Sequence, residues 1–172
     1  VDSSSLLVQQ HNGATRITPP LEVAVELNRL FPMEDWDGLY FTMVYGILDL
    51  ETLEFCHVIA GHPPCIHIPC GGAPQSLPNR GMSIGWVRDI MLTEHVVQLK
   101  AGDRLFLYSD GVPEAMNPDG KLLGDSQMLE VMELGKAHSI DGSVELLMDV
   151  VNRWCTIGCL QDDVSILGLE IV

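Results

Sequence analysis

Three short segments of this 172-residue chain carry side chains that could do chemistry where a fold would hold them rigidly. In the first, Tyr108-Ser109-Asp110-Gly111 follows the apolar run Leu105-Phe106-Leu107. A strand there presents the Asp110 carboxylate at its end, and Gly111 lets the chain turn away. In the second, Gln161-Asp162-Asp163-Val164 sets two adjacent carboxylates just before a final strand. In the third, Ala60-Gly61-His62-Pro63-Pro64 places a histidine on a loop stiffened by proline. Taken separately, each has an ordinary structural explanation. Asp-Gly is common in turns, Asp-Asp before a strand suits a solvated edge, and a lone histidine is usually structural. Taken together, hard oxygen ligands at strand ends suit Mg²⁺ or Mn²⁺, which accept carboxylates and retain waters.

The surrounding pattern supplies the elements that would position them. Pro19-Pro20 opens a helix in which Leu21, Val23, Ala24, Val25, Leu27, Leu30 and Phe31 fall at helical spacing, and Pro32 ends it. Residues 1–10 read as the end of another helix, broken at Asn12-Gly13. Met33–Gly38 (MEDWDG) is an acidic connector. Strand signals follow at Tyr40–Leu50, Phe55–Ala60, Cys65–Pro69, His95–Leu99 and Arg104–Ser109. The turns between them are short, which favours an antiparallel sheet over βαβ units. Asp125–Leu134 and Ser139–Trp154 read as helices, the second with an apolar stripe of Ile140, Val144, Leu147, Met148, Val151 and Trp154. Val164–Val172 is a last strand. A helix, many strands, two helices and a strand spell the α+β class.

Composition bounds the function. The net charge is −15, with nine Lys and Arg scattered along the chain. That charge repels phosphate backbones and anionic membranes, so a nucleic-acid or membrane-surface role in this segment is not expected. An acidic balance suits a protein that concentrates divalent cations, and it also serves solubility alone. Of the five cysteines (Cys56, Cys65, Cys70, Cys155 and Cys159) none forms a CxxC, and most sit among apolar neighbours. Buried thiols in a reduced, intracellular protein are the natural expectation. No apolar run approaches the roughly 20 residues of a membrane span. His57, His62 and His67 with the cysteines fit no structural zinc spacing; His57 and His67 are expected to face one environment each.

Five segments in order, PPLEVAVELNRLF (19–31), FTMVYGILDL (41–50), VIAGHPP (58–64), LKAGDRLFLYSDGVPEAMN (99–117) and QDDVSILGLEI (161–171), resemble the successive signatures of the SpoIIE/RsbU branch of the metal-dependent, PPM-type protein phosphatases. The resemblance covers residues 19–172. It implies an α-β-β-α sandwich of two antiparallel sheets flanked by helices. It implies two Mn²⁺ or Mg²⁺ ions that activate a water to attack phosphoserine or phosphothreonine. It implies a phosphorylated regulatory protein as substrate, typically a STAS-type anti-sigma-factor antagonist, with an upstream sensor or receiver domain, control through homodimerisation, and a cytoplasmic location.

Carried over residue by residue, Asp110 matches the aspartate of the family's S/T-D-G motif. Asp162 matches the first aspartate of its D-D/N-x-T/S motif, with Asp163 beside it and Ser165 at the hydroxyl position. Gly111 and Asp163 are expected to support these ligands from behind. His62 matches the AGHPP loop near the site, although locking that turn through a backbone hydrogen bond is the preferred role. The sequence also departs from the pattern. The family has an aspartate and then an Asp-x-x-Gly-His/Lys-Gly loop ahead of the LNRLF helix, and neither precedes it here. The chain therefore reads as a single domain, 1–172, lacking its N-terminal metal-binding segment. Two-metal hydrolysis needs bridging oxygens that hold the ions about 3.5–4 Å apart, so this segment alone is expected to bind metal feebly and to be inactive. A catalytically inactive docking module that binds a STAS-type or response-regulator partner is the alternative, and the upstream sequence distinguishes the two.

Overall fold

The computed structural model describes residues 6–11, 14–78, 81–155, 160 and 162–172. The chain forms two compact units, Val1–His62 with Pro78–Gln98, and Pro63–Leu77 with Leu99–Val172.

The first unit opens with a hairpin, β1 (Val8–His11) and β2 (Ala14–Ile17), in antiparallel register from Val8↔Ile17 to His11↔Ala14. This corrects the expectation of a helix end over residues 1–10; residues 1–5 lie outside those described. The physical reason is in the sequence. Asn-Gly between two short segments favours the turn of a two-residue hairpin.

Helix α1 (Pro20–Leu30) begins as the prolines require, with Pro20 in the first turn, where no backbone donor is needed. The Leu21 N–H donates to Glu94 Oε2 at 3.0 Å, which ties down the helix start. Asn28 is buried and fully committed. Its Nδ2 donates to the carbonyls of Val87 and Arg88, and its Oδ1 accepts from the Gly85 N–H at 2.8 Å. The apolar face of α1 packs through Ala24 and Leu27 against Val58, Ala60 and Ile84. A 3-10 turn, Met33–Asp35, occupies the acidic connector.

The sheet of this unit has three strands, β3 (Met43–Leu48), β4 (Glu54–Ala60) and then β6 (His95–Gln98), all antiparallel. The β3–β4 turn is set by Asp49, whose Oδ1 accepts from the N–H groups of Glu51 and Thr52 at 2.8 Å each. Those bonds hold its carboxyl below the usual carboxylate range. His57 is buried and stacks on Phe55 with ring centroids 5.0 Å apart.

The second unit carries a four-stranded antiparallel sheet. Its strands are β5 (Ile66–Ile68), the short edge strand β5′ (Gln75–Ser76), β7 (Arg104–Tyr108) and β8 (Ile166–Glu170), in the order β5′-β5-β7-β8. Helices α2 (Gly124–Gly135) and α3 (Ile140–Trp154) cover one face. Ser139 caps α3, its Oγ accepting from the Gly142 N–H. Met128, Met132, Leu147 and Val151 are buried with Ile66 and Phe106 in one core. Arg104 fastens the layers: Nε donates to Glu170 Oε2 at 2.6 Å, and its other nitrogens donate to Ser143 Oγ and the His138 carbonyl.

A polar knot sits inside this unit. His67 Nε2 lies 2.9 Å from Asp103 Oδ2, and the Asp103 oxygens also accept from the N–H groups of Cys70 and Lys100. The two histidines on strands were expected to face different environments; both His57 and His67 are buried. His67 can be buried because Asp103 and Gln75 occupy its ring nitrogens. Among the described cysteines all are free. Cys65 and Cys155 are buried as expected, Cys56 is half-buried, and Cys70 is exposed. Cys159 lies outside the described residues.

Candidate functional site

The pairing of β7 with β8 positions the site. Their register ends at Tyr108↔Ile166, so the chain leaving β7 and the chain entering β8 emerge side by side. Ser109 joins them. Its N–H donates to the Ser165 carbonyl at 3.0 Å. Its Oγ donates to the Asp163 carbonyl and accepts from the Ser165 N–H, each at 2.9 Å. The hydroxyl thus uses both of its roles on one neighbouring loop, and that loop carries Asp162 and Asp163.

Past Ser109 the chain curls into a tight turn. The Val112 N–H donates to the Ser109 carbonyl, and the Glu114 N–H donates to the Asp110 carbonyl at 2.9 Å. This fixes the backbone of Asp110 while its carboxylate stays exposed, with no partner among the described residues. Gly111 is buried against the facing loop. A Cβ at that position would stand 2.5 Å from the Asp163 carbonyl oxygen and 3.2 Å from Val164 Cγ2. Glycine is required here for close approach.

On the facing loop, the Asp163 N–H donates to Asp162 Oδ1 at 2.7 Å. One Asp162 oxygen therefore orients the side chain, and the other has no partner among the described residues. Asp162 and Asp163 are both exposed. Asp110, Gly111, Asp162 and Asp163, which lie far apart in sequence, thus belong to two loops bonded directly to each other. His62 lies in the first unit, half-buried, just after Gly61, whose N–H donates to the Gly81 carbonyl.

The donor set suits a hydrated Mg²⁺ or Mn²⁺ in part. Exposed carboxylate oxygens on backbone-fixed loops are what such ions accept. Among the described residues, no group of three or more His, Cys, Asp or Glu stands close enough to enclose an ion. The fit is to an open, water-rich position, not a closed cage. Sequence reasoning did not single out Ser109 as the joint between the loops. Its signal was a hydroxyl immediately ahead of the acid, facing the Ser165 position.

The family described as Stage II sporulation protein E (SpoIIE) matches residues 4–172. The phosphoserine phosphatase RsbU of Bacillus subtilis is 23% identical over 154 residues, covering 88% of this chain and 45% of that protein. The chain spans less than half the length of the curated relatives it matches. Among solved structures, the SiaA-PP2C domain of Pseudomonas aeruginosa superposes with a TM-score of 0.77 at 15% identity, over 90% of this chain and 61% of that one. The SpoIIE phosphatase domain of Bacillus subtilis, presoaked with manganese, superposes with a TM-score of 0.59 at 24% identity, over 76% of this chain and 56% of that one. The α+β class and the PPM-phosphatase fold expected from the sequence are what these likenesses show. No helix among the described residues is long and apolar enough to cross a membrane.

Proposed function

The chain belongs to the SpoIIE family, and from that membership we propose that residues 1–172 act as one metal-dependent protein serine/threonine phosphatase domain. The observation that carries the proposal is the direct bonding of the Ser109–Gly111 loop to the Asp162–Ser165 loop through the Ser109 hydroxyl. Asp110 and Asp162 would hold Mn²⁺ or Mg²⁺ through their unpaired oxygens. An ion bound there would lower the pKa of its water, so that hydroxide is available at neutral pH to attack phosphorus.

The residues of this chain then have distinct tasks. Asp110 and Asp162 provide charge and hard oxygens. Ser109 keeps the two loops in register, and Gly111 lets them approach to van der Waals distance. Asp163 orients Asp162 through its N–H. His62 stiffens the turn after β4. The substrate is a phosphoserine or phosphothreonine on a regulatory protein, of the STAS-type anti-sigma-antagonist class, in the cytoplasm. An upstream sensor or receiver domain and homodimerisation would govern access to it.

The second reading, a docking module without turnover, is favoured by one observation: among the described residues, no three His, Cys, Asp or Glu side chains are grouped so as to enclose an ion. One experiment separates the two readings. Hydrolysis of a phosphoserine peptide is measured for this chain, and for any longer natural chain that contains it, with Mn²⁺, with Mg²⁺ and with EDTA. The phosphatase reading expects metal-dependent turnover that falls by about 10²-fold or more in Asp110→Asn, since losing a ligand charge weakens the ion and raises the pKa of its water. Turnover that survives EDTA, or an unimpaired Asp110→Asn enzyme, overturns it. No turnover by any of these chains leaves the docking module.

A further inference from the structure

Away from the aspartate loops, the least explained surface of the chain is aromatic. In the first unit the segments 31–41 and 84–86 are zipped together. The Phe41 N–H donates to the Ile84 carbonyl and the Ile84 N–H to the Phe41 carbonyl, at 3.1 and 2.8 Å, and the Met33 N–H donates to the Gly85 carbonyl at 3.0 Å. This backbone carries two groups of rings, Phe31 with Trp36 and Phe41, and Tyr40 with Trp86. Phe31 packs on Trp36 with centroids 5.4 Å apart and edge-on against Phe41 at 5.9 Å; Tyr40 meets Trp86 edge-on at 4.5 Å. The rings do not cover one another. Trp36 remains 49% exposed, Tyr40 48% and Trp86 45%. Clustered exposed aromatics on a fixed backbone mark interaction surfaces.

The charges beside the rings say what kind of partner fits. Glu34, Asp35, Asp37 and Asp89 are exposed. Glu34 pairs with Arg88 at 3.4 Å. Asp35, Asp37 and Asp89 form no ion pair among the described residues. Tryptophan and tyrosine faces attract cations, and so do unpaired carboxylates. Both features therefore select the same chemistry. A second copy of this chain does not supply it, because each copy brings a net charge of −15 and only nine Lys and Arg. Anionic lipid and nucleic acid are repelled for the same reason.

We propose that the surface carrying the Phe31, Trp36 and Phe41 cluster and the Tyr40–Trp86 pair docks a basic amphipathic segment of another protein, one in which Arg or Lys alternates with apolar residues. Its apolar side chains cover the rings. Its cationic groups stack on Trp36 and Trp86 and pair with Asp35 and Asp37. The inference is independent of the phosphatase reading, since none of these residues belongs to the aspartate loops.

The probe is a fluorescein-labelled peptide alternating arginine and leucine, with arginine-serine and glutamate-leucine peptides as controls. Binding to the chain is followed by anisotropy and by tryptophan emission. The arginine-leucine peptide is expected to bind. Trp36→Ala, and separately Asp35→Asn with Asp37→Asn, should each weaken it about tenfold, as loss of an interface aromatic or of paired charge does. Asparagine suits position 37, where φ is 53°. Glu145→Gln, which removes an exposed carboxylate from α3, should leave the affinity unchanged. Equal weakening by Glu145→Gln, or none by Trp36→Ala, would reduce the effect to general charge attraction and overturn the proposal. Concentration-dependent dimerisation abolished by Trp36→Ala would assign the face to a second copy and overturn it as well.

Discussion

The Ser109 hydroxyl donates to the Asp163 carbonyl at 2.9 Å, across 54 positions of sequence. The same oxygen accepts from the Ser165 N–H, so one side chain sets the spacing between the two loops that carry the aspartates. A two-ion hydrolytic site tolerates little error in that spacing.

Replacing Ser109 by alanine removes both bonds and leaves the Ser165 N–H and the Asp163 carbonyl to water. Because the joint is partly exposed, the stability cost should be modest, about 1 kcal/mol. The effect on metal-dependent hydrolysis should be larger, about tenfold, because the proposed ligands Asp110 and Asp162 would lose register. Urea melts alongside Mn²⁺ titrations of activity would test this. Unchanged metal response in Ser109→Ala would mean the loops are held by other contacts.

Gly111→Ala tests the close approach itself. The added methyl would stand 2.5 Å from the Asp163 carbonyl oxygen, and the contacting atom is backbone, so the loops must part. Overpacking of this kind costs about 1–3 kcal/mol. A denaturant midpoint matching that of the parent chain would show that the loops can separate freely.

Asp103 predicts a pH dependence. Burial alone would raise its carboxyl, but hydrogen bonds from the Cys70 N–H, His67 and the Lys100 N–H carry it below the usual range. A carboxyl depressed in the folded state contributes stability that is present above its unfolded pKa, about 4. That contribution is lost as pH falls through the lower, folded value. Stability should therefore decline on acidification below about pH 4, and Asp103→Asn should flatten that decline. The substitution should also cost about 1–3 kcal/mol at pH 7, because an amide cannot accept from all three donors. An acid limb identical in Asp103→Asn and parent would assign the loss to other carboxylates.

The cysteines differ in reach. Burial pushes the Cys65 thiol up to about 11, whereas Cys70 is exposed. Because the thiolate is the nucleophile, iodoacetamide at pH 8 should modify Cys70 at least about tenfold faster than Cys65. Site-resolved peptide mass mapping over time measures this directly. Comparable rates at the two positions would mean that the second unit opens on the timescale of labelling.

Much of the fold was legible along the chain because local rules decide it. The apolar spacing and the flanking prolines gave α1, and the stripe from Ile140 to Trp154 gave α3, since a helix needs only its own periodicity and its caps. Strands β3, β4, β5, β7 and β8 followed from β-branched and aromatic runs between turn residues. The candidate aspartates were legible for the same reason: Asp110 follows, and Asp162 precedes, a strand the sequence already marks. What resisted was whatever depends on partners distant in sequence. Gln75–Ser76 has no strand-like composition and becomes a strand only because β5 offers it an edge. Val8–His11 looked helical because its pairing with Ala14–Ile17 cannot be seen in either segment alone. His67 could be placed on a strand, but its burial depended on Asp103, 36 positions away. The tertiary structure alone made Ser109 the joint of the site, because a hydroxyl's two hydrogen bonds are chosen by whichever backbone folding brings beside it.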